Sequence, residues 1–229
     1  MCSVATNLTP HQRALRSTVA LKALMAVTGL CLVAFLLMHM IGNLKMFLGE
    51  GEFNHYAEFL KQDVLYPIIP HGVFIWLFRF GLLAFILLHM FSAVTLWHRA
   101  AKATPTKYET RKRLSQSYAS RTMRWGGVIL ALGLIWHLIQ FTVAPSHGSP
   151  FVAVKTAFQN PAWVGVYLLW IGVVCVHIRH GFWSAFATLG INTSALAKTV
   201  LNCLAYLVAG LIFLGFAVVP IAILAGGIQ

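Results

Sequence analysis

Negative charge is nearly missing from this chain: five Asp and Glu stand among 229 residues, against 17 Lys and Arg. Only 10% of the residues carry a formal charge, 59% are hydrophobic and the mean hydropathy is +0.78. Soluble domains hold about 25% charged residues and at most about 50% apolar ones. The composition therefore excludes an ordinary water-soluble enzyme and a disordered chain. The net charge of +12 does not point to nucleic acid either. It arises from the shortage of acids, and the bases lie between apolar runs, where membrane topology accounts for them. Cysteine is also scarce. Of Cys2, Cys31, Cys175 and Cys203, three lie inside apolar runs and none forms a C-x-x-C pair. This excludes an iron–sulfur cluster or structural zinc held by the chain itself. Without C-x-x-C-H, any haem would be held non-covalently. The polar first 16 residues contain no apolar signal core or cleavage site, so the first apolar run is expected to be retained.

What is present is apolar sequence in five long runs, at about 20–48, 71–98, 123–144, 161–186 and 197–225. Each can supply the roughly 20 residues that cross about 30 Å of hydrocarbon. The pattern predicts an all-α membrane protein, one five-helix bundle over residues 1–229 with no internal repeat and no soluble domain. Residues 49–70 hold four of the five acids, residues 99–121 are strongly basic, 145–160 contain Pro145, Gly148 and Pro150, and 187–196 form a short polar turn. Lys and Arg favour the cytoplasmic side of short loops. Thirteen of them fall on the side of the N-terminus, the second connection and the last turn; Lys45, Lys61 and Lys155 fall on the other, and Arg79 lies within the second run. The expectation is a multi-pass protein of the cytoplasmic membrane with its N-terminus inside and its C-terminus outside.

Ten histidines occur, and five lie in apolar context: His39, His89, His137, His177 and His180. A lone membrane histidine is explained by a hydrogen bond to a neighbouring helix. One on each of the first four runs needs a stronger account, because polar groups in lipid are costly. At about 1.5 Å per residue, His39 lies about 30 Å from the inner edge of its run and His137 about 20 Å from the inner edge of its own. By the same rise, His89 and His177 each lie about 25 Å below the outer edge. His39 and His137 thus belong to the outer half, His89 and His177 to the inner half. Two imidazoles from different helices can take both axial positions of a haem iron, which suits electron transfer rather than oxygen chemistry. Gly42, Gly81, Gly133 and Gly181 lie near these histidines and would admit a flat macrocycle; helix packing explains each equally well. His180, one helical turn from His177, is an alternative inner ligand. His98 sits at the inner end of its run, and His11, His55, His71 and His147 lie in loops or at run ends.

The order of these histidines, with H-M-I-G-N-L-K at 39–45 and H-x-x-H-G-F-W-S-A-F-A-T-L-G at 177–190, resembles the cytochrome b membrane anchor of succinate:quinone oxidoreductases and fumarate reductases (complex II), in its single-subunit, two-haem form. The resemblance runs over nearly the whole chain. It implies two stacked b haems: a distal one on His39 and His137, a proximal one on His89 and His177. His177 rather than His180 carries the glycine four residues later, Gly181, that follows the ligand in this family. It also implies a flavoprotein and an iron–sulfur subunit on the cytoplasmic side, which hold the FAD and the clusters, and menaquinone as electron acceptor. Certain fumarate reductases of the family carry a glutamate two positions before the fourth ligand; here that position is Cys175, which favours succinate oxidation. Two other readings stand beside this one: the cytochrome b of a hydrogenase or formate dehydrogenase, and a haem-free proton-coupled transporter.

Quinone reduction consumes two protons, so its site needs a titratable group. The outer connection offers His55, Glu58, Lys61, Asp63 and His71. Haem propionates need cations or donors. Arg79, about 15 Å outward of His89, is one candidate, with Asn43 and Lys45 beyond His39. On the inner side the candidates are Arg16, Ser17, Trp183 and Ser184. The basic connection at 99–121 reads as a topology signal, a dock for the iron–sulfur subunit, or a contact with anionic lipid. The oligomeric state of the complex is left open by the sequence.

Overall fold

The computed structural model describes residues 17–103, 115–143 (side chains from 122) and 148–228. His11, Arg13, Arg16, Lys107, Arg111, Lys112, Arg113 and His147 lie outside the described residues. Seven α-helices and no strand occur among the described residues. Helix α1 (Thr18–Leu44) runs on into a 3-10 turn (Lys45–Leu48), followed by α2 (Glu50–Gln62) and α3 (Val73–Lys102). Then come α4 (Ser115–Leu138), which continues as a π-helical turn (Ile139–Val143), α5 (Pro150–Phe158), α6 (Pro161–Thr188) and α7 (Ala195–Leu224).

Among the described residues five helical stretches are long and apolar enough to cross a membrane: Thr18–Leu48, Val73–Lys102, Thr122–Val143, Pro161–Thr188 and Ala195–Leu224. Helix starts are written into the sequence. Ser17, Ser149, Asn160 and Ser194 each accept a backbone N–H from the first turn that follows, at 2.9–3.3 Å. Pro150 and Pro161 then occupy the first turns of α5 and α6, where a missing N–H costs nothing.

The connections at 49–70 and 145–160 each contain a short helix that hydropathy did not reveal. Gly49, at φ 93°, makes the turn that a residue with a Cβ resists, and α2 starts directly after it. Helix α2 rests against α5: Phe53 meets Phe151 at 6.1 Å, Ser149 Oγ donates to Glu50, and Asn54 accepts from the Phe151 N–H. Together they cap one end of the bundle, called upper below. The lower end carries the turn between α6 and α7.

Packing is uneven. Helix α6 lies against α7, α1 and α4, while α3 lies against α1. One buried cluster joins Ile171, Cys175 and Ile178 of α6 to Ala209 and Ile212 of α7, with Leu36 and Leu37 of α1 against it. A second, under the upper cap, joins Met46, Phe151 and Phe158 to Tyr167, Val219 and Ile223. Helix α7 buries eight residues, α3 only Ser92, and α4 none of its described side chains. The latter two expose apolar side chains such as Leu83, Leu87 and Leu132, as helices facing hydrocarbon do.

Two histidine pairs across the bundle

The histidines at matched depths meet in pairs. In the upper half, the rings of His39 (α1) and His137 (α4) have centroids 6.0 Å apart with planes at 78°. In the lower half, His89 (α3) and His177 (α6) stand 6.3 Å apart at 66°. Each pair joins two helices that do not pack along their length; α1 sits beside α3 and α6, and α4 beside α6. The pairs thus bridge the two diagonals of a four-helix arrangement, one above the other.

Their surroundings differ. In the lower pair, His89 Nδ1 lies 3.1 Å from the Met25 carbonyl and 3.3 Å from Thr28 Oγ1. A carbonyl only accepts, so Nδ1 carries the proton and Nε2 keeps its lone pair. Thr28, itself buried, spends its own proton on the Leu24 carbonyl at 2.7 Å. Glycine backbone approaches both rings of this pair. A Cβ at Gly29 would lie 3.1 Å from His89 Cε1, and one at Gly127 would lie 4.0 Å from His177 Cε1.

The upper pair is packed by rings. Phe35 stacks on His39 at 5.4 Å and Phe216 lies 5.6 Å from it; Phe141, Trp170 and Tyr167 surround His137 at 5.3, 5.9 and 6.2 Å. Tyr167 donates to Gln140 at 2.7 Å. The π-helical turn that follows His137 widens the helix at this point, as such turns do at functional sites. His137 Nδ1, His177 Nδ1 and Trp170 Nε1 are buried without a hydrogen-bond partner.

His180 stands apart from the pairs. Arg179 Nη1 lies 2.9 Å from His180 Nδ1. A guanidinium only donates, so Nδ1 must accept and the proton sits on Nε2. That tautomer has no nitrogen lone pair left for a metal, which separates His180 from His177.

The other sequence candidates are dispersed. Asp63 and His71 form an ion pair at 3.0 Å, with Tyr66 stacked on His71 at 4.0 Å. His55, Glu58 and Lys61 are exposed on α2. Arg79 is exposed on α3 and stacks on Trp76 at 5.0 Å rather than entering the bundle. Lys45 lies over the Tyr56 ring at 4.9 Å. Asn43 Nδ2 donates to the His39 carbonyl at 2.8 Å and stands 3.5 Å from His39 Nε2. Trp183 and Ser184 are exposed, and Ser184 lines an open groove of about 380 Å³ with Lys22 and Thr188. Of the glycines read as macrocycle neighbours, Gly42 faces Tyr56, Gly133 faces Trp170 and Gly181 faces Met123, while a Cβ at Gly81 would meet nothing within 4 Å. Gly29, Gly127, Thr28 and Trp170 were not legible as site residues, because their relevance lies in neighbours on other helices.

The donor set tests which group these pairs suit. Among the described residues no three His, Cys, Asp or Glu side chains converge, so zinc, which wants three or four protein ligands, does not fit. A haem brings its own four equatorial nitrogens and asks the protein for two axial ones. With metal–imidazole bonds of about 2 Å, rings on opposite sides of one iron hold their centroids about 6.3 Å apart. The two pairs, at 6.0 and 6.3 Å, are close to that separation. The residues present fit haem. Compared with protein-family models, curated proteins and solved structures, the chain finds no match.

Proposed function

We propose that this chain is the membrane anchor and di-haem cytochrome b subunit of a succinate:menaquinone oxidoreductase. The observation that carries the reading is the pair of cross-helix histidine contacts, His39–His137 and His89–His177, each at the ring separation of a bis-imidazole iron and stacked at two levels. In this reading His39 and His137 hold the distal b haem, and His89 and His177 the proximal one. Bound there, the haems supply single-electron carriers between an iron–sulfur subunit and the quinone.

The chain's own part would be to hold the four histidine rings in place for the haems. The Met25 carbonyl holds His89 with Nε2 unprotonated, while aromatic packing holds His39 and His137. Succinate oxidation, with its flavin and iron–sulfur clusters, belongs in this reading to partner subunits. The outer connection in this reading delivers protons to the quinone, and its Asp63–His71 contact at 3.0 Å is one titratable candidate. Cys175, buried against α7, offers no carboxylate for a proton route along α6, which supports oxidation of succinate over fumarate reduction. In this reading the excess of Lys and Arg in the N-terminal stretch, the second connection and the last turn puts the N-terminus and the soluble partners on the cytoplasmic side.

Pyridine haemochrome quantitation on the purified membrane complex tests the reading. Two b haems per chain, falling to about one in His39→Ala and in His89→Ala, are the expected result. A chain with no haem would sink it and return the histidines to a proton-coupled transporter. Haem without succinate-reducible spectra, alongside a hydrogenase or formate dehydrogenase partner, would move the same fold to another respiratory complex.

A further inference from the structure

Arg179 lies two residues beyond His177, and so on nearly the opposite side of α6, where that helix meets α7. Its guanidinium is held entirely by neutral groups. Nη2 donates to Asn202 Oδ1 at 3.0 Å, Nη1 donates to His180 Nδ1 at 2.9 Å, and the plane lies 4.5 Å over the Tyr206 ring. Its Nε is buried with no partner. The acids among the described residues, Glu50, Glu52, Glu58 and Asp63, all belong to the upper end. Among the described residues no carboxylate stands near this guanidinium inside its membrane span, a setting that an anionic ligand would satisfy.

Depth indicates which anion. Helices of 28 and 30 residues are about 42–45 Å long and overshoot about 30 Å of hydrocarbon by about 6–7 Å at each end. Arg179 is about 13 Å from the lower end of α6 and Asn202 about 10 Å from the start of α7. Both therefore lie about 4–7 Å inside the boundary, within an arginine side chain's reach of a lipid phosphate. Lys198, Asn202 and Tyr206 recur every four residues along one face of α7, with Lys198 exposed and nearest the boundary. Trp183, one turn below Arg179, is also exposed. Above the polar group the surface turns apolar: Val176 and Leu169 on α6 are 51% and 76% exposed, and Phe213 on α7 is 37% exposed. A charged head with an apolar track beside it matches a phospholipid, not a free anion.

We infer that the α6–α7 face at the lower end binds an anionic phospholipid, its phosphate on Arg179 and Lys198 and an acyl chain along Val176 and Leu169. This site is separate from the histidine pairs and does not depend on the haem reading. Arg179 is a structural lipid anchor on the back of the helix that carries His177.

The test uses the full chain with its co-purifying partners, extracted in mild detergent and placed in nanodiscs of phosphatidylcholine with or without phosphatidylglycerol. About one anionic phospholipid per chain is expected to survive detergent exchange, quantified by mass spectrometry. Arg179→Gln should lower that retention at least tenfold and Lys198→Gln severalfold, whereas Lys155→Gln, at the upper end, should leave it unchanged. Phosphatidylglycerol should raise the unfolding midpoint, read by tryptophan fluorescence, in the parent chain but not in Arg179→Gln. Lys198→Gln, an exposed substitution, keeps the test decisive if Arg179→Gln fails to insert. Equal retention in parent and variants would overturn the proposal. Displacement by excess inorganic phosphate would overturn it in favour of a free-anion site, and retention appearing only after soluble partners are stripped would overturn it in favour of a protein contact.

Discussion

The two histidine pairs have nearly the same ring separation but are held in place by different means. The lower pair is positioned by a hydrogen bond and by missing side chains: the Met25 carbonyl and Thr28 fix the His89 tautomer, and Gly29 and Gly127 bring backbone against the rings. The upper pair is positioned mainly by shape, with Asn43 Nδ2 in a long contact with His39 Nε2 at 3.5 Å. Phe35, Phe216, Phe141 and Trp170 pack around it, and His137 Nδ1 has no partner at all. A hydrogen bond fixes which nitrogen is free as well as where the ring points, whereas packing fixes only the ring. The lower pair should therefore be the electronically tuned one, and the upper pair the one more sensitive to volume.

The largest expected break comes from the ligands themselves. On the proposed di-haem reading, His137→Ala should remove the upper haem and His89→Ala the lower one, each leaving about one haem per chain with distinct reduced-minus-oxidised spectra. Identical residual spectra would mean that the pairs are not independent sites. Next in size is Gly133→Leu. Its side chain would collide with the Trp170 indole, which flanks His137, and overpacking of this kind costs about 1–3 kcal/mol. It should weaken upper haem retention while sparing the lower, read by haem stoichiometry after gel filtration. Equal loss at both levels would show that the upper packing is not local.

Gly29→Ala is milder, because the added Cβ would press on His89 at 3.1 Å and the ring must give by a few tenths of an ångström. The lower haem alone should change its optical or magnetic signature. Thr28→Val is expected to be the smallest. It removes a hydroxyl 3.3 Å from His89 Nδ1 and leaves the Met25 carbonyl in place. About 1 kcal/mol of stability should be lost, with a shift of the lower midpoint potential and none of the upper. Thr28→Ser should restore the parent potential; failure to do so would limit Thr28 to packing.

Much of this was legible before any coordinates. Hydropathy located the five long helices to within a few residues, because about 20 apolar residues are needed wherever a helix crosses hydrocarbon. Counting rise along alternating helices set His39 level with His137 and His89 level with His177. The short helices α2 and α5 were missed, since their order rests on contacts far along the chain: Phe53 meets Phe151, which belongs to the buried cluster of Met46, Tyr167 and Val219. Arg79 shows the opposite failure. Its depth suggested a buried partner, but depth does not determine azimuth, and it faces outward on Trp76.

The sequence by itself determined the membrane class, the number of long helices and the levels of the histidines, because these depend on composition and on a fixed rise per residue. Only the tertiary structure decided which face of each helix points inward. That choice separated His177 from His180, brought Met25, Thr28 and Gly29 to His89, and set Arg179 against α7. Azimuth follows from how neighbouring helices pack, and packing joins residues too far apart along the chain for any local spacing to reveal.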